Sequence, residues 1–305
     1  DLSVFNAYMA LSGAVDADLL RDERLSHRTT YRIGGPAALF ATVNSYSSLV
    51  RTLSVLRREG VEWVILGRGS NVLVSDEGYD GCVIKLGREF SRITFSEDGC
   101  VTAGAGANLS KLVSETLSHG LSGLEFCVGI PGSVGGAVSM DAGTRHEWVG
   151  PRVQSLVALR PGGGMCRYAG PDIEWGYRWS SIPADEIILE VTLALTPAAK
   201  AGIAEEMERR LARRRATQPM GRPSCGSVFR DPGDASAGRL IESCGLKGYA
   251  VGGAQVSDQH ANFIVNMGGA KASDVLAVMG QVHDVVAQNH GVDLRPEVKC
   301  LGFRG

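Results

Sequence analysis

The spacing of apolar positions along the chain changes several times, and each change marks an element. Residues 1–28 are polar and mixed, with a short helix expected before Arg21-Asp22-Glu23. Residues 38–43 form an apolar strand candidate. Leu49, Val50, Leu53 and Leu56 then recur at helical spacing, closed by Gly60. Residues 61–66 read as a buried strand, and 72–74 and 82–86 as short strands separated by a turn at Glu77-Gly78. The first third therefore reads β-α-β-β.

After strand candidates at 92–95 and 101–103, a second helix places Leu109, Leu112, Val113 and Leu117 on one face, with Asn108 at its N-cap. It leads through 121–128 into a glycine-rich stretch. Strands follow at 153–159 and 187–195, with the Gly162-Gly163-Gly164 turn between them. Residues 174–181 are aromatic and polar without a period, which suits a loop lining a site or aromatics packed in a core. A charged helix at 197–215 separates this part from the rest, its acidic first half and five arginines reading as a solvated face. Beyond it come a Gly/Ser/Pro segment at 221–232, a helix at 237–244, a strand at 262–266 and a helix from Ser273. That last helix sets Val275, Leu276, Met279, Val282 and Val286 on one face and stops at Gly291. Divisions are expected at 1–86, 87–197 and 198–305, the last a compact α+β domain.

Composition narrows the function classes. The 305 residues are 44% hydrophobic and 21% charged, as in soluble globular proteins. A formal net charge of −2 gives no electrostatic reason for nucleic-acid or membrane-surface partners. No apolar run reaches bilayer-spanning length, and Asp1-Leu2-Ser3-Val4 does not open like a secretory leader. Seven scattered cysteines without a CxxC pair read as reduced thiols in a cytoplasmic protein. The six histidines have no metal-ligand spacing, so no metal is expected.

Two stretches carry candidate chemistry for an anion. Gly129-Ile130-Pro131-Gly132-Ser133-Val134-Gly135-Gly136 has the permissive backbone of a phosphate-binding nest, or of a tight packed connection. Gly67-Arg68-Gly69-Ser70-Asn71 follows an apolar run in the same way, and together the two could hold a dinucleotide across its pyrophosphate. Val72 at the third glycine position excludes the Rossmann fingerprint, and neither GxxxxGK[ST] nor GxSxG occurs. In Cys225-Gly226-Ser227-Val228-Phe229, Ser227 is a nucleophile, a proton donor or a turn former. Glu297, set in an apolar C-terminal strand, is an unusual place for a carboxylate. Arg178 beside Tyr177 could fork a substrate carboxylate or stand on the surface.

As an ordered set these residues resemble a known family. Thr30-Tyr31-Arg32-Ile33-Gly34-Gly35, the segment 66–74, the Gly129–Gly136 stretch, Gly226-Ser227-Val228-Phe229 and Arg295-Pro296-Glu297-Val298 are similar to the UDP-N-acetylenolpyruvoylglucosamine reductase (MurB) family, in its shorter subtype. Gln218-Pro219, Leu246-Lys247-Gly248-Tyr249, Gly252-Gly253-Ala254-Gln255-Val256 and His260-Ala261-Asn262-Phe263 extend the match over residues 22–303. The resemblance implies an α+β fold. Its two-part FAD-binding region, of the vanillyl-alcohol-oxidase-like type, would occupy 1–86 and 87–197, and a smaller α+β substrate-binding domain 198–305.

The resemblance also implies a cytoplasmic, monomeric flavoprotein of peptidoglycan synthesis. It would take hydride from NADPH through FAD and reduce UDP-N-acetylglucosamine enolpyruvate to UDP-N-acetylmuramate. FAD contacts would come from Tyr31, Arg32, Gly67, Arg68, Gly69, Ser70, Asn71, Gly129, Ile130, Pro131, Gly132, Ser133, Gly135 and Gly136. The substrate would meet Tyr177, Arg222, Lys247, Gln255, His260 and Asn262. Ser227 matches the proton donor, and Arg178 and Glu297 the stabilisers of the enolate. A bare carboxylate would repel an enolate, so Glu297 must act protonated or through another group. The chain departs from the family at Asp141, usually Asn, at Trp179, often Asp, and at Asp231, an added charge. Two other classes share much of the pattern: a flavin oxidase on the same scaffold, and an inactive UDP-sugar binder.

Overall fold

The computed structural model describes residues 1–304. The chain divides into two compact units, each assembled from separated segments. The first comprises Asp1–Leu19, Phe40–Gly67 and Val83–Arg213, the second Leu20–Leu39, Arg68–Cys82 and the chain from Arg214 onward. The division falls within three strands of a four-stranded sheet ordered Ala17–Arg24, Pro36–Val43, Tyr79–Leu86, Trp63–Ile65. The short helix expected before Arg21-Asp22-Glu23 is Leu2–Leu11, and the edge strand Ala17–Arg24 that follows it is an addition to the expected elements. The strand has few apolar residues to betray it because it is an edge strand with most of its side chains exposed and none buried. Trp63–Ile65, at the other edge, is half-buried rather than buried for the same reason.

The first unit is built on an antiparallel five-stranded sheet ordered Met165–Ala169, Val153–Leu159, Ile187–Ala194, Cys100–Gly104, Ile93–Phe95. Its central strand reads Ile-Ile-Leu-Glu-Val-Thr-Leu-Ala and buries Ile187, Leu189, Val191 and Leu193. Such β-branched and aliphatic runs suit a pleated, covered surface. The helix Leu109–Ser118 begins where Asn108 Oδ1 accepts the Ser110 N–H at 2.9 Å, and buries Leu109, Leu112, Val113 and Thr116. The segment expected as a loop at 174–181 is a hairpin, in which Trp175 pairs with Ser180 and Gly176 with Trp179.

The second unit packs the helix Ala272–His290 against a three-stranded antiparallel sheet, Ala250–Val251, Ala254–Val256 and Ile264–Asn266. Val275, Val278, Met279, Val282 and Val286 make the buried stripe, and Gly291 ends the helix with φ +65°. Leu276, expected on this face, is 39% exposed, because one residue of helix rotates it about 100° away from Val275. A parallel pairing of Val72–Val74 with Lys299–Leu301 joins segments far apart in sequence. The core runs from Tyr31, Ile33 and Leu73 through Val228 and Phe229 to the long helix. Among the described residues no helix is long and apolar enough to cross a membrane. Nor do three or more His, Cys, Asp or Glu side chains group as a metal site among them.

Candidate active site

In the second unit the chain around Ser227 is threaded between two other segments. Val228 donates its N–H to Asn262 O at 2.9 Å, while Val228 O accepts the Glu297 N–H at 2.7 Å. Phe229 and Pro296 form an antiparallel bridge, and Arg230 N–H reaches Arg295 O at 2.8 Å. Segment 227–230 thus runs antiparallel to 295–298, with half-buried Glu297 opposite Val228, the residue after half-buried Ser227. Glu297 precedes the strand Lys299–Leu301 instead of lying within it, a correction to the sequence expectation. Asn71 Nδ2 adds a 3.4 Å bond to Glu297 O, and the Lys299 N–H bonds Asn71 O at 3.1 Å.

Asn262 acts as a clamp on this segment. Its side chain is 4% exposed, with Oδ1 accepting the Phe229 N–H at 3.0 Å and Nδ2 donating to Phe229 O at 2.8 Å. Both ends of the amide are therefore spent on the backbone beside Ser227. In this structure Asn262 thereby positions the serine loop. The neighbouring His260 is half-buried, and its Nδ1 accepts the Asn262 N–H at 3.1 Å. Burial, then the positive charge of Lys247, lowers its pKa from the ordinary value, so the neutral ring suited to that bond is favoured. Lys247 Nζ pairs with Glu242 at 2.6 Å, Gln255 sits half-buried in the strand Ala254–Val256, and Arg222 is exposed.

Tyr31 was expected at the cofactor, yet its ring is fully buried in the core and its hydroxyl donates to Ile264 O at 2.7 Å. Burial, then Cys225, raises its pKa well above the ordinary value, so it stays a neutral donor. Its apolar ring is more stable against Val228 and Leu73 than in water. The exposed neighbour Arg32, held at φ +55°, carries the accessible side chain of that pair.

In the first unit the Gly129–Gly136 stretch makes a connection in which the N–H groups of Gly129, Gly132 and Ser133 take no partner among the described residues. Gly132 has φ +142°, and a Cβ on Gly67 would collide with Ser133 Oγ. That close approach, together with open donors, fits the pyrophosphate of a dinucleotide. Arg68, Gly69, Ser70 and Asn71 belong to the second unit, where Gly69 turns at φ +63° against Arg28 and Thr29.

Arg178 also lies in the first unit, at the second position of the two-residue turn of the Trp175–Ser180 hairpin, with φ +53°. For a residue with a Cβ this conformation costs about 1–2 kcal/mol. Its guanidinium lies 5.0 Å from the centre of the Tyr177 ring and donates to Gly143 O at 3.2 Å. Asp141 and Trp175 enter the site's architecture without having been assigned a role from sequence. Asp141 had shown itself only as a departure from the expected Asn. Asp231 Oδ1 caps the helix at Ala237 with a 2.8 Å bond.

Residues 37–165 match a model of an FAD binding domain, and residues 218–301 match the C-terminal domain of UDP-N-acetylenolpyruvoylglucosamine reductase. The chain is 41% identical to the UDP-N-acetylenolpyruvoylglucosamine reductase of Halalkalibacterium halodurans, over 93% of this chain and 94% of that one. It is 43% identical to reductase 2 of Symbiobacterium thermophilum, with 92% of each covered. Among solved structures, UDP-N-acetylenolpyruvylglucosamine reductase from Thermus caldophilus superposes with a TM-score of 0.80 at 36% identity, covering 94% of this chain and 99% of that one.

Proposed function

The chain belongs to the UDP-N-acetylenolpyruvoylglucosamine reductase family, and we propose that it reduces UDP-N-acetylglucosamine enolpyruvate to UDP-N-acetylmuramate with NADPH as reductant. It is an FAD-dependent oxidoreductase of peptidoglycan precursor synthesis. When bound, FAD would supply the hydride transfer from NADPH to the terminal carbon of the enolpyruvyl group. The glycine stretch 129–136 with Gly67, and the segment 68–71 with Arg32, would hold it through backbone N–H groups and positive charge.

The protein's own part is to manage the charge and the proton. Hydride arriving at the terminal carbon leaves negative charge on the adjacent carbon and its carboxylate. Arg178 presents a planar charged fork to that developing enolate, the kind of pre-placed donor that lowers a barrier. Ser227 gives its hydroxyl proton to the adjacent carbon and is reprotonated from solvent, so one hydride and one proton add across the double bond. Glu297, whose N–H is bonded to Val228 O next to Ser227, stabilises the enolate directly or through a bridging group. Lys247, Gln255, His260, Arg222 and Tyr177 provide positive and hydrogen-bonding groups for the UDP-sugar. The placement of the enzyme in the cytoplasm follows from its nucleotide substrates.

The observation carrying this reading is the antiparallel pairing that brings the Glu297 backbone to Val228, next to Ser227, with Asn262 clamped onto the same segment. The direct test mixes flavin-loaded protein with NADPH, with and without the enolpyruvyl substrate, while product is followed. NADPH oxidation that needs the substrate and yields one lactyl ether per NADPH is expected. A reduced flavin that this substrate does not reoxidise would reject the reading.

A further inference from the structure

Asp141 combines two features that an ordinary surface acid lacks. It is 3% exposed, and its backbone sits at φ +46°, one of four non-glycine residues with positive φ among those described. A carboxylate is costly to bury without partners. Its Oδ1 accepts the Gly150 N–H at 2.8 Å. Gly150 is in turn packed without spare room, because a Cβ there would stand 2.5 Å from Trp175 Cδ2 and 3.0 Å from Asp141 Oδ1.

Trp175 opens the hairpin that carries Arg178, and the loop 140–150 meets that hairpin at several points. Ser180 Oγ bonds Ser139 O at 3.3 Å, just before the loop, and Arg178 bonds Gly143 O at 3.2 Å within it. Gly150 lies against Trp175 at the loop's far end. The bond from Gly150 to Asp141 closes this loop from inside. Burial raises the Asp141 pKa, while the Gly150 N–H and then the charge of Arg178 oppose the rise. Further along the loop, Glu147 is paired with Arg210 at 2.6 Å.

We propose that Asp141 is a positioning residue for Arg178, acting through its bond to the Gly150 N–H and the Trp175 seat of the hairpin. The assignment rests on the function proposed above. The property used is the acceptor oxygen together with tolerance of the left-handed backbone, both of which Asn shares and Gly only half shares. The loss should then appear only in the step where Arg178 acts.

The test separates the two half-reactions of the holoenzyme by stopped-flow absorbance of the flavin. In Asp141→Gly the backbone keeps its conformation and loses the acceptor. NADPH should reduce its flavin at the wild-type rate, while reoxidation by the enolpyruvyl substrate slows about tenfold, as misplacement of a charged donor by a fraction of an ångström would cause. Asp141→Asn should stay within about threefold of wild type in both steps, because it keeps the bond. Unchanged reoxidation in Asp141→Gly, equal slowing of both steps, or an Asn variant as slow as the Gly variant would each overturn the assignment. Should Asp141→Gly fail to hold flavin, Trp175→Leu removes the seat from the other side. Selective slowing of its reoxidation supports the proposal, and wild-type behaviour overturns it. Wild-type enzyme that is reduced but never reoxidised by this substrate would reject the underlying function, a result separate from any difference between variants.

Discussion

Ser227 and Arg178, the two side chains given the proton and the charge, are held in opposite ways. Ser227 precedes Val228 and Phe229, which are 1% and 3% exposed, and its segment is tied to Asn262 and Glu297 by backbone bonds. Arg178 sits at the tip of a hairpin two residue pairs long, in a strained turn between Tyr177, 45% exposed, and Trp179, 50% exposed. One site is fixed by the core of its unit. The other is fixed by a short local seat and stores strain. Changes near Ser227 should therefore cost stability whenever they touch its supports, whereas changes at Arg178 should cost activity alone.

The largest effect is expected where the contrast is easiest to break, at the reacting groups themselves. Ser227→Ala should be reduced by NADPH normally and turn over the enolpyruvyl substrate about a hundredfold more slowly or worse, the usual cost of a lost proton donor. Single-turnover reoxidation of the flavin reads this directly, and near-wild-type turnover would take Ser227 out of the mechanism. Arg178→Asn should lose about a hundredfold in turnover, typical for a removed charge-stabilising donor. Its urea midpoint should hold or rise, because Asn relieves up to about 1 kcal/mol of left-handed backbone strain. A variant that loses both activity and stability would show that the hairpin depends on the arginine for its shape.

Asn262→Ala sharpens the other half of the comparison. It strands the Phe229 N–H and C=O in the core, two buried groups whose bonds are now made at 3.0 and 2.8 Å. Stability should fall by about 2–6 kcal/mol, summing two unsatisfied groups, and turnover should fall with it as the serine loop loosens. Urea unfolding of the holoenzyme measures the first. A stability loss under about 0.5 kcal/mol, the range of an ordinary surface change, would mean that the core alone holds Ser227.

These contrasts were only partly legible in the sequence. Local signals were read well: Asn108 as a cap, Gly60 and Gly291 as helix ends, and the strands at 153–159 and 187–195. Each depends on a few neighbouring residues. The edge strand Ala17–Arg24 was missed because exposure removes the apolar alternation that would reveal it. Tyr31 was placed at the cofactor, but burial of an aromatic ring depends on Val228, Leu73 and Ile264, which arrive from distant segments. The order of motifs implies, through the family resemblance alone, that Ser227 and Glu297 serve one site. Nothing local showed that Asn262 spends its amide on Phe229, or that Asp141 turns inward to Gly150.

The smallest expected effect distinguishes the two regions by the sign of their response to acid. His260 has its pKa lowered by burial, then by Lys247, from an ordinary 6.5, and its Nδ1 must stay unprotonated to accept the Asn262 N–H. The unfolded chain therefore takes up the proton first. This contribution to stability is present above pH 6.5 and is lost as pH falls below it. Asp141 has its pKa raised, chiefly by burial, so there the folded state takes up the proton first, and acid relieves the cost of burying its charge. Between pH 7 and 5, hydrogen exchange corrected for intrinsic rate should show protection falling at the Asn262 N–H and holding at the Gly150 N–H. In His260→Gln the fall at Asn262 should disappear. If both amides lose protection together, acid is loosening the molecule as a whole and His260 has no separate hold on the clamp. If only Asn262 responds, the support of Ser227 is the part of the site that a single imidazole proton can release.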